Sequence, residues 1–388
     1  MKQVIYLLTI ALLACGGKSD PLLTAAKLEL KGKRLDGAYT KLSKGLYSEA
    51  GKNKNLKSIP EAWLEMGKLH AEKKEYKKMH AAFTKVKELE AADKEKKFSK
   101  AAENFVKASG NQNYNASVKI YNDALKISDE NAQMKKFKEA LTRVDNAISF
   151  DQSEAAYYSL RAQQRGVLKV DGAEGDYKKS LELKPDDANT IKSLGFYYFN
   201  HQKYDLAAEK LNEALKHDAT NSDMLKYRSY AYQNVGKYDK AIASYKEWQK
   251  LEPNNTSISA SLTPLYYATK DYQKAIESAT EAINNDPNCD KSQYTYMANS
   301  YFTQINELNK EKKRNEAKAL ASTCLALLEK GIETETHKEN GEIWKYMSYV
   351  YATLGKSKLA KKAERQAKNL AKTEEHTSEL QSRGHLVC

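Results

Sequence analysis

The acidic segment 171–176 contains side chains of the type that bind metal ions. It reads Asp-Gly-Ala-Glu-Gly-Asp, and closely spaced carboxylate oxygens are the ligands that Ca²⁺ prefers. Ala173, however, belongs to a column of alanines that recurs along the chain and is typical of a helix face. We therefore interpret the segment as a helix start with a solvated acidic flank, and we expect no metal site there.

Other arrangements typical of catalysis are missing from the sequence. The segment 45–53 contains glycines and lysines but lacks the spacing and the Ser or Thr that a nucleotide-binding loop needs for Mg²⁺. The sequence as a whole has no His-Glu-x-x-His, paired-cysteine or nucleophile-elbow motif. The remaining histidines stand singly, at His70, His80, His201, His217 and His337. We predict that the protein is not an enzyme and uses neither a metal nor a cofactor.

Cys289 and Cys324 are the two cysteines away from the chain ends. A disulfide between them is one alternative, but a disulfide framework normally uses more cysteines than this. We predict that both are small, unpaired packing residues.

The apolar segment 4–13 is too short to span a bilayer and is typical of the core of a signal peptide. It runs into Leu-Leu-Ala-Cys at 12–15, which resembles a bacterial lipobox, where the cysteine is acylated and becomes the mature N-terminus. The resemblance implies a signal peptide over 1–14, lipidation of Cys15 and a cell-envelope lipoprotein. Gly16 in place of an Asp favours the outer membrane. The alternative is an ordinary cysteine in a plain secretory signal.

The C-terminal segment 374–388 resembles the translation of a sequencing adapter. We expect 373–388 to be a non-native tail, and its cysteine and histidines enter no candidate site.

The chain is strongly basic, with 64 Lys+Arg against 51 Asp+Glu and a formal net charge of +13. For an exported protein this charge favours anionic lipid, lipopolysaccharide, a cell-wall polymer or an acidic protein over nucleic acid. The alternative is a lysine-rich solvated convex face.

Self-similarity between residues 154 and 289 is the main structural signal, because four consecutive 34-residue blocks align without gaps. The second half of each block has small, bulky and small columns at helical spacing: Ala173, Ala207, Ala241 and Ala275; Tyr177, Leu211, Tyr245 and Ala279; Ser180, Ala214, Trp248 and Ala282. The first half has a second stripe, which begins with Tyr157, Ile191, Leu225 and Ser259. Two helices that pack through small side chains are the structure this pattern predicts.

With these columns the sequence resembles the tetratricopeptide repeat, a helix-turn-helix unit of this period. An earlier copy is matched by Trp63, Met66, Gly67, Phe83 and Val86, and a final copy by Trp344, Met347, Tyr351, Gly355, Ala360 and Ala367. The resemblance implies an all-α, right-handed superhelix of about seven to eight repeats.

The predicted organisation follows from where the repeat is regular. We expect a tether with a cap or degenerate repeat over 15–60, divergent repeats over 61–153, four regular repeats over 154–289, and two further repeats over 290–372, the first with an extended turn at 307–314. Two pairings are open for 96–153: Tyr114, Ser117 and Tyr121 either open a repeat closed by 137–147, or form the second helix after Ala101 and Phe105. Pro264 implies that its helix starts late or is kinked.

In the tetratricopeptide-repeat family the first helix of each pair lines the inner face, where partners bind. The resemblance places these residues there: Tyr158, Lys192, Phe196, Phe199, Asn200, Lys226, Tyr230, Asn234, Tyr267, Asn299, Phe302, Lys345 and Tyr349. Rings supply contact area, Lys supplies charge and Asn pairs with peptide backbone. The clamp for C-terminal carboxylates known in this family is not expected, because Phe196, Tyr227 and Ser257 stand where it needs polar or basic residues.

We therefore predict an envelope-anchored scaffold that binds a protein or peptide of acidic character, and no nucleic acid. The alternative is a lipoprotein that binds glycan or peptidoglycan, with the tyrosine and phenylalanine rings of the groove stacked on sugars.

Overall fold

The computed structural model describes residues 20–48 and 54–384, with side chains up to residue 372. Within these ranges the regular secondary structure is α-helix, and the chain divides into two units, Met1–Asp186 and Asp187–Cys388. The predicted signal peptide and the predicted lipidation site, Cys15, lie outside the described residues.

Unit 1 is a series of helix hairpins. Its helices are α1 (Pro21–Lys31), α2 (Leu35–Leu46), the single-turn α3 (Lys54–Lys57), α4 (Pro60–Glu72), α5 (Tyr76–Leu89), α6 (Lys97–Ala124), α7 (Glu130–Phe150), α8 (Ala155–Leu168) and α9 (Ala173–Leu183). The pairs that pack as antiparallel neighbours are α1 with α2, α4 with α5, α6 with α7, and α8 with α9.

Unit 2 has the same organisation. Its helices are α10 (Ala188–Asn200), α11 (Tyr204–Ala214), α12 (Ser222–Asn234), α13 (Tyr238–Leu251), α14 (Thr256–Ala268), α15 (Tyr272–Asn285), α16 (Ser292–Lys310), α17 (Arg314–Ile332), α18 (Gly341–Thr353) and α19 (Ser357–Gly384). Each even-numbered helix pairs with the helix that follows it. The prediction of an all-α stack of helix-turn-helix units is confirmed.

The alanine columns predicted from the sequence form the tight contacts of these hairpins. Ala173 is 2% exposed, and Ala207, Ala241 and Ala275 are fully buried. Glycine serves the same purpose at Gly195, where a Cβ would stand 2.9 Å from the side chain of Leu211. The helices therefore approach at a distance that larger side chains would prevent.

Four of the five first helices of unit 2, namely α10, α12, α14 and α18, begin at side-chain caps. Asp187 Oδ2 accepts from the backbone N–H of Thr190, and Asn221 Oδ1 accepts from that of Met224. Asn255 and Asn340 cap α14 and α18 in the same way. Each cap satisfies a donor that the helix leaves unpaired and so sets where the helix starts.

The charged run at 307–314 does not extend a turn, which corrects the expectation from the sequence. It continues α16 to Lys310 and starts α17 at Arg314, so both helices have 19 residues and the turn is as short as the others. Ile305 is buried, and Leu308 packs against the same core, so the added helical turn is stabilised by apolar contacts.

The region 97–150 forms one hairpin of two long helices, which corresponds to the first of the two pairings considered. Tyr114, Ser117 and Tyr121 all belong to α6, and the buried Ser117 hydroxyl donates to the carbonyl of Ala140 on α7 at 2.7 Å. The segment 21–46 is likewise a hairpin and not a single capping helix. The described residues therefore form nine hairpins, one more than the upper count expected.

Pro264 lies inside α14, which starts at Thr256 and not late. A proline has no N–H, so the carbonyl of Ala260, four residues earlier, loses its usual helical donor. The side chain of Gln293, on α16, donates to that carbonyl through Nε2 at 3.1 Å. The next hairpin therefore supplies the hydrogen bond that the proline removes.

None of the helices within the described ranges is both long enough and apolar enough to cross a membrane.

Candidate partner-binding surface

Twelve of the thirteen predicted inner-face residues lie on the first helices of unit 2, namely α10, α12, α14, α16 and α18. The thirteenth, Tyr158, is on α8 in unit 1. Tyr158 is 8% exposed and the guanidinium of Arg161 lies 5.5 Å from its ring centre. Contrary to the prediction, it is a packing residue with little surface for a partner.

On α10 and α12, the predicted rings are held by a tyrosine that the sequence analysis did not select. The rings of Phe196 and Phe199 meet the edge of Tyr227 at centroid distances of 5.1 and 4.9 Å. All three side chains remain partly exposed. Two neighbouring first helices therefore share one aromatic cluster that faces solvent.

Tyr230, also on α12, packs against the second helix of its own hairpin. Its ring lies edge-on to Tyr245 at 6.0 Å and to Trp248 at 6.4 Å, and both partners are buried. The ammonium group of Lys226 lies 5.9 Å from the centre of the Trp248 ring. The half-buried Tyr230 ring is therefore held in place by buried aromatic side chains of the second helix.

The same arrangement recurs further along the unit. Tyr267 on α14 contacts Tyr296 on α16 at 5.2 Å. Phe302 on α16 stacks on Tyr346 of α18 at 5.8 Å and meets Tyr349 edge-on at 5.7 Å. Tyr349 is 50% exposed. Rings on successive first helices therefore support one another while part of each faces solvent.

We call the following set the aromatic surface: Phe196, Phe199, Tyr227, Tyr230, Tyr267, Tyr296, Phe302 and Tyr349.

Two exposed amides border it at equivalent positions of successive repeats. Asn200 ends α10 and Asn234 ends α12, and both side chains are exposed. Asn234 Nδ2 donates to the carbonyl of Tyr230 at 2.8 Å, which orients its amide oxygen away from the helix. Asn299, on α16, is half-buried.

The predicted lysines give the surface less positive potential than the sequence indicated, because carboxylates lie near them. The pKa of Asp218 is lowered, first by the Asn221 side chain and in smaller part by Lys192. Lys226 makes a similar, lesser contribution to the lowered pKa of Glu252, after hydrogen bonds from three side chains, the first of which is Asn255. Lys345 Nζ lies 3.6 Å from a carboxylate oxygen of Glu342. Each lysine therefore has a carboxylate nearby, which reduces the positive potential of the surface.

Asp176 of the acidic segment is not solvated, which corrects the prediction for that residue. It is 5% exposed and accepts from Arg161 at 2.6 and 2.8 Å and from Arg165 at 2.8 Å. Two arginines hold this carboxylate as a structural ion pair between α8 and α9.

His70 is fully buried in unit 1 with a partner on each ring nitrogen. Its Nε2 lies 2.8 Å from the hydroxyl of Tyr47, and its Nδ1 lies 2.6 Å from a carboxylate oxygen of Glu75. Burial raises the pKa of Tyr47 to about 12, with smaller contributions from Tyr39 and Glu75, so its hydroxyl stays protonated. The arrangement joins α2, α4 and α5 and satisfies the histidine structurally.

The prediction of two unpaired cysteines is confirmed. Cys324 is buried and Cys289 is half-buried, and neither forms a disulfide. Burial raises the pKa of Cys324 to about 12, and burial with the carboxylates of Asp286 and Asp290 raises that of Cys289 to about 11. Both therefore remain thiols and are poor nucleophiles at neutral pH. No three His, Cys, Asp or Glu side chains within the described ranges are grouped to hold a metal.

Comparison with known proteins bears on the hairpin that contains Tyr230 and Trp248. Residues 228–255 match the family model "Tetratricopeptide repeat". The fold is of the tetratricopeptide-repeat class. BBSome complex member BBS4 of Bos taurus is 25% identical over 119 residues, which are 28% of this chain and 23% of that protein. The chain thus aligns with about a quarter of the length of this curated relative.

Two solved structures are similar to part of the chain. YrrB, described as a TPR protein with an unusual peptide-binding site, is 19% identical with a TM-score of 0.37, covering 40% of this chain and 81% of its own. MamA of MSR-1 is 21% identical with a TM-score of 0.37, covering 44% of this chain and 97% of its own.

Proposed function

We propose that this tetratricopeptide-repeat protein is a non-enzymatic scaffold that binds a segment of a partner protein along the aromatic surface. The observation that carries the proposal is that rings on successive first helices are braced by one another and still partly exposed. A ring that is already fixed loses little conformational entropy on binding, and aromatic side chains supply large contact areas.

The polar border of the surface suits a peptide backbone. Asn200 and Asn234 repeat at equivalent positions, and an amide both donates and accepts. A relative that is a member of a multi-protein complex supports a scaffold function.

The finer parts of the proposal concern charge and location. The partner segment is acidic, because Lys192 and Lys226 lie beside the aromatic surface, although the nearby carboxylates moderate this preference. The protein is held at the outer membrane of a bacterial envelope by acyl chains on Cys15. Replacement of Cys15 by Ser should release the protein from the membrane fraction into the soluble fraction. Unchanged membrane association would contradict lipidation at this residue.

A photo-crosslinking amino acid tests the binding surface. Placed at Tyr349, which is 50% exposed on the aromatic surface, it should give a discrete protein adduct in the native host. The matched control is Tyr238, which is 39% exposed at the start of a second helix. The same adduct from both positions, or none from Tyr349, would contradict the proposed surface.

Two further measurements test whether the partner segment is acidic and whether the ligand is a protein or a glycan. Lys192→Glu combined with Lys226→Glu should weaken recovery of the crosslinked partner, and equal recovery would remove the acidic requirement. If the surface binds glycan instead, the protein should sediment with isolated peptidoglycan, and the crosslinker at Tyr349 should give no protein adduct.

A further inference from the structure

The helix α19 has a cationic face that the aromatic surface does not include. Between 357 and 372 it contains one acidic residue, Glu364, and six basic residues: Lys358, Lys361, Lys362, Arg365, Lys368 and Lys372. At 100° per residue the six fall within an arc of about 120°, along about 21 Å of helix. All six side chains are exposed.

Packing against α18 fixes the direction in which this face points. Ala363 is 1% exposed and belongs to the same core as Met347 of α18. The position of a Cβ on Gly341, at the start of α18, lies 3.3 Å from the carbonyl of Ala367 and 3.6 Å from the Cβ of Leu370. Because the apolar side of α19 is occupied, the helix cannot turn its basic side inward.

The local electrostatics agree with a positive surface. The pKa of Glu364 is lowered, first by a hydrogen bond from Lys368, whose ammonium lies 2.7 Å away, and also by the charge of Lys361. A shallow depression on the face is lined entirely by basic and amide side chains: Lys358, Lys361, Lys362, Arg365, Gln366 and Asn369.

We propose that this face binds the anionic headgroup layer of a lipid bilayer. Five of the six cations are lysines, whose ammonium groups act as mobile point charges and not as the rigid forks that arginine offers to a fixed carboxylate or phosphate. No aromatic ring lies among them to stack on nucleic acid bases. Leu359, which is 43% exposed at the border of the face, supplies an apolar contact at the depth of the headgroups.

This inference rests on α19 alone and requires neither the aromatic surface nor acylation of Cys15. If Cys15 is acylated, the face provides a second contact with the same membrane.

Vesicle binding tests the proposal, using the full chain with Cys15→Ala so that no lipid anchor contributes. The chain should bind phosphatidylcholine vesicles that contain phosphatidylglycerol and should not bind pure phosphatidylcholine. Binding at about 0.1 M salt should be lost at about 1 M salt, because the Debye length falls from about 10 to about 3 Å.

Charge variants locate the binding surface. Lys361→Glu, Lys362→Glu and Arg365→Glu together should lower the partition coefficient by about a hundredfold or more, since each basic residue near an anionic surface contributes about fivefold. The matched control reverses three exposed lysines of unit 1, Lys107→Glu, Lys119→Glu and Lys135→Glu, and should bind within a few-fold of the parent chain. Lys361→Gln, Lys362→Gln and Arg365→Gln together give a second, milder set of charge changes, and circular dichroism checks that the helices are retained.

Three results would overturn the proposal. One is equal binding by the α19 variants and the parent chain, and another is equal loss by the unit 1 control. The third is binding to immobilised polyglutamate through the same residues without binding to the anionic vesicles, which would assign the face to an acidic protein.

Discussion

The hydrogen bond between Gln293 and Ala260 predicts that two residues in different hairpins are energetically coupled. Pro264 leaves the Ala260 carbonyl without its helical donor, and Gln293 Nε2 donates to it at 3.1 Å from a side chain that is 5% exposed. If this hydrogen bond replaces the missing helical one, its contribution to the free energy of unfolding should depend on whether residue 264 has an N–H.

The expected magnitude follows from what Gln293→Met removes. A buried carbonyl that loses its only donor costs about 1–3 kcal/mol. Part of this is offset, because Gln293 Oε1 is buried with no hydrogen-bond partner among the described residues and is deleted by the same substitution. Methionine keeps an unbranched side chain of similar volume. We expect a net loss of about 1–2 kcal/mol in the free energy of unfolding.

Pro264→Ala should make the hydrogen bond from Gln293 unnecessary for stability. Alanine restores an N–H to the Ala260 carbonyl, so Gln293→Met in this background should be close to neutral. The coupling energy of the double-mutant cycle is then about 1–2 kcal/mol. Pro264→Ala alone should stabilise by less than the roughly 3 kcal/mol of an uncompensated interior proline, because Gln293 already satisfies the carbonyl.

Urea unfolding followed by far-ultraviolet circular dichroism measures the four corners of the cycle, and native-state hydrogen exchange in α14 localises the effect. Gln366→Met, at an exposed glutamine of α19, is the control and should be neutral. An equal cost of Gln293→Met in the parent chain and in the Pro264→Ala variant would refute the reasoning.

Three other substitutions test contacts described above. Asp176→Asn should destabilise unit 1 by about 1–3 kcal/mol in urea unfolding, because Arg161 and Arg165 lose charge-assisted hydrogen bonds to this carboxylate, while Arg161 keeps Asp145, whose Oδ1 lies 3.0 Å from its Nη1. A loss below about 0.5 kcal/mol would mean that solvent or Asp145 compensates. Gly195→Ala should cost about 1–3 kcal/mol in the thermal unfolding of unit 2, since the new Cβ meets Leu211 at 2.9 Å; an unchanged Tm would contradict the close approach. Glu90, whose carboxylate is buried but accepts from the backbone at the start of α6, has a pKa below its usual value because these hydrogen bonds outweigh burial. The stability that ionised Glu90 contributes is present above the unfolded pKa and is lost as the pH falls through the lower folded pKa. Glu90→Gln should therefore make the free energy of unfolding fall less steeply with decreasing pH below about pH 4. If the variant and the parent chain lose stability in parallel, Glu90 does not make this contribution.

Much of the fold is readable from spacing within the chain. The small column at 173, 207, 241 and 275 and the bulky residues beside it are buried as the helical period requires. A helix brings residues three and four apart to one face whatever surrounds it, so a repeated pattern specifies both helices of each hairpin. The caps at Asp187, Asn221 and Asn255 are local in the same sense.

The candidate surface was only partly predictable. Most of its rings were selected from their positions on first helices, but Tyr227 and Tyr296 were not. The residues equivalent to Tyr227 in the neighbouring repeats are Ser193 and Ser261. The column therefore indicated a small polar position, whereas the structure places the Tyr227 ring between Phe196 and Phe199. Conversely, Tyr158 had a suitable position and is covered.

The helical repeat and its packed face can be predicted from the sequence, because they depend on periodic contacts between residues close in the chain. The pairing of polar groups, in contrast, depends on how the helices pack: Asp176 meets Arg161, and Gln293 meets the carbonyl of Ala260 in another hairpin. Such pairs have no period, and their partners are chosen by the distance and angle at which whole helices approach. For the same reason, the extra length of α16 and α17 appeared in the sequence only as a charged run.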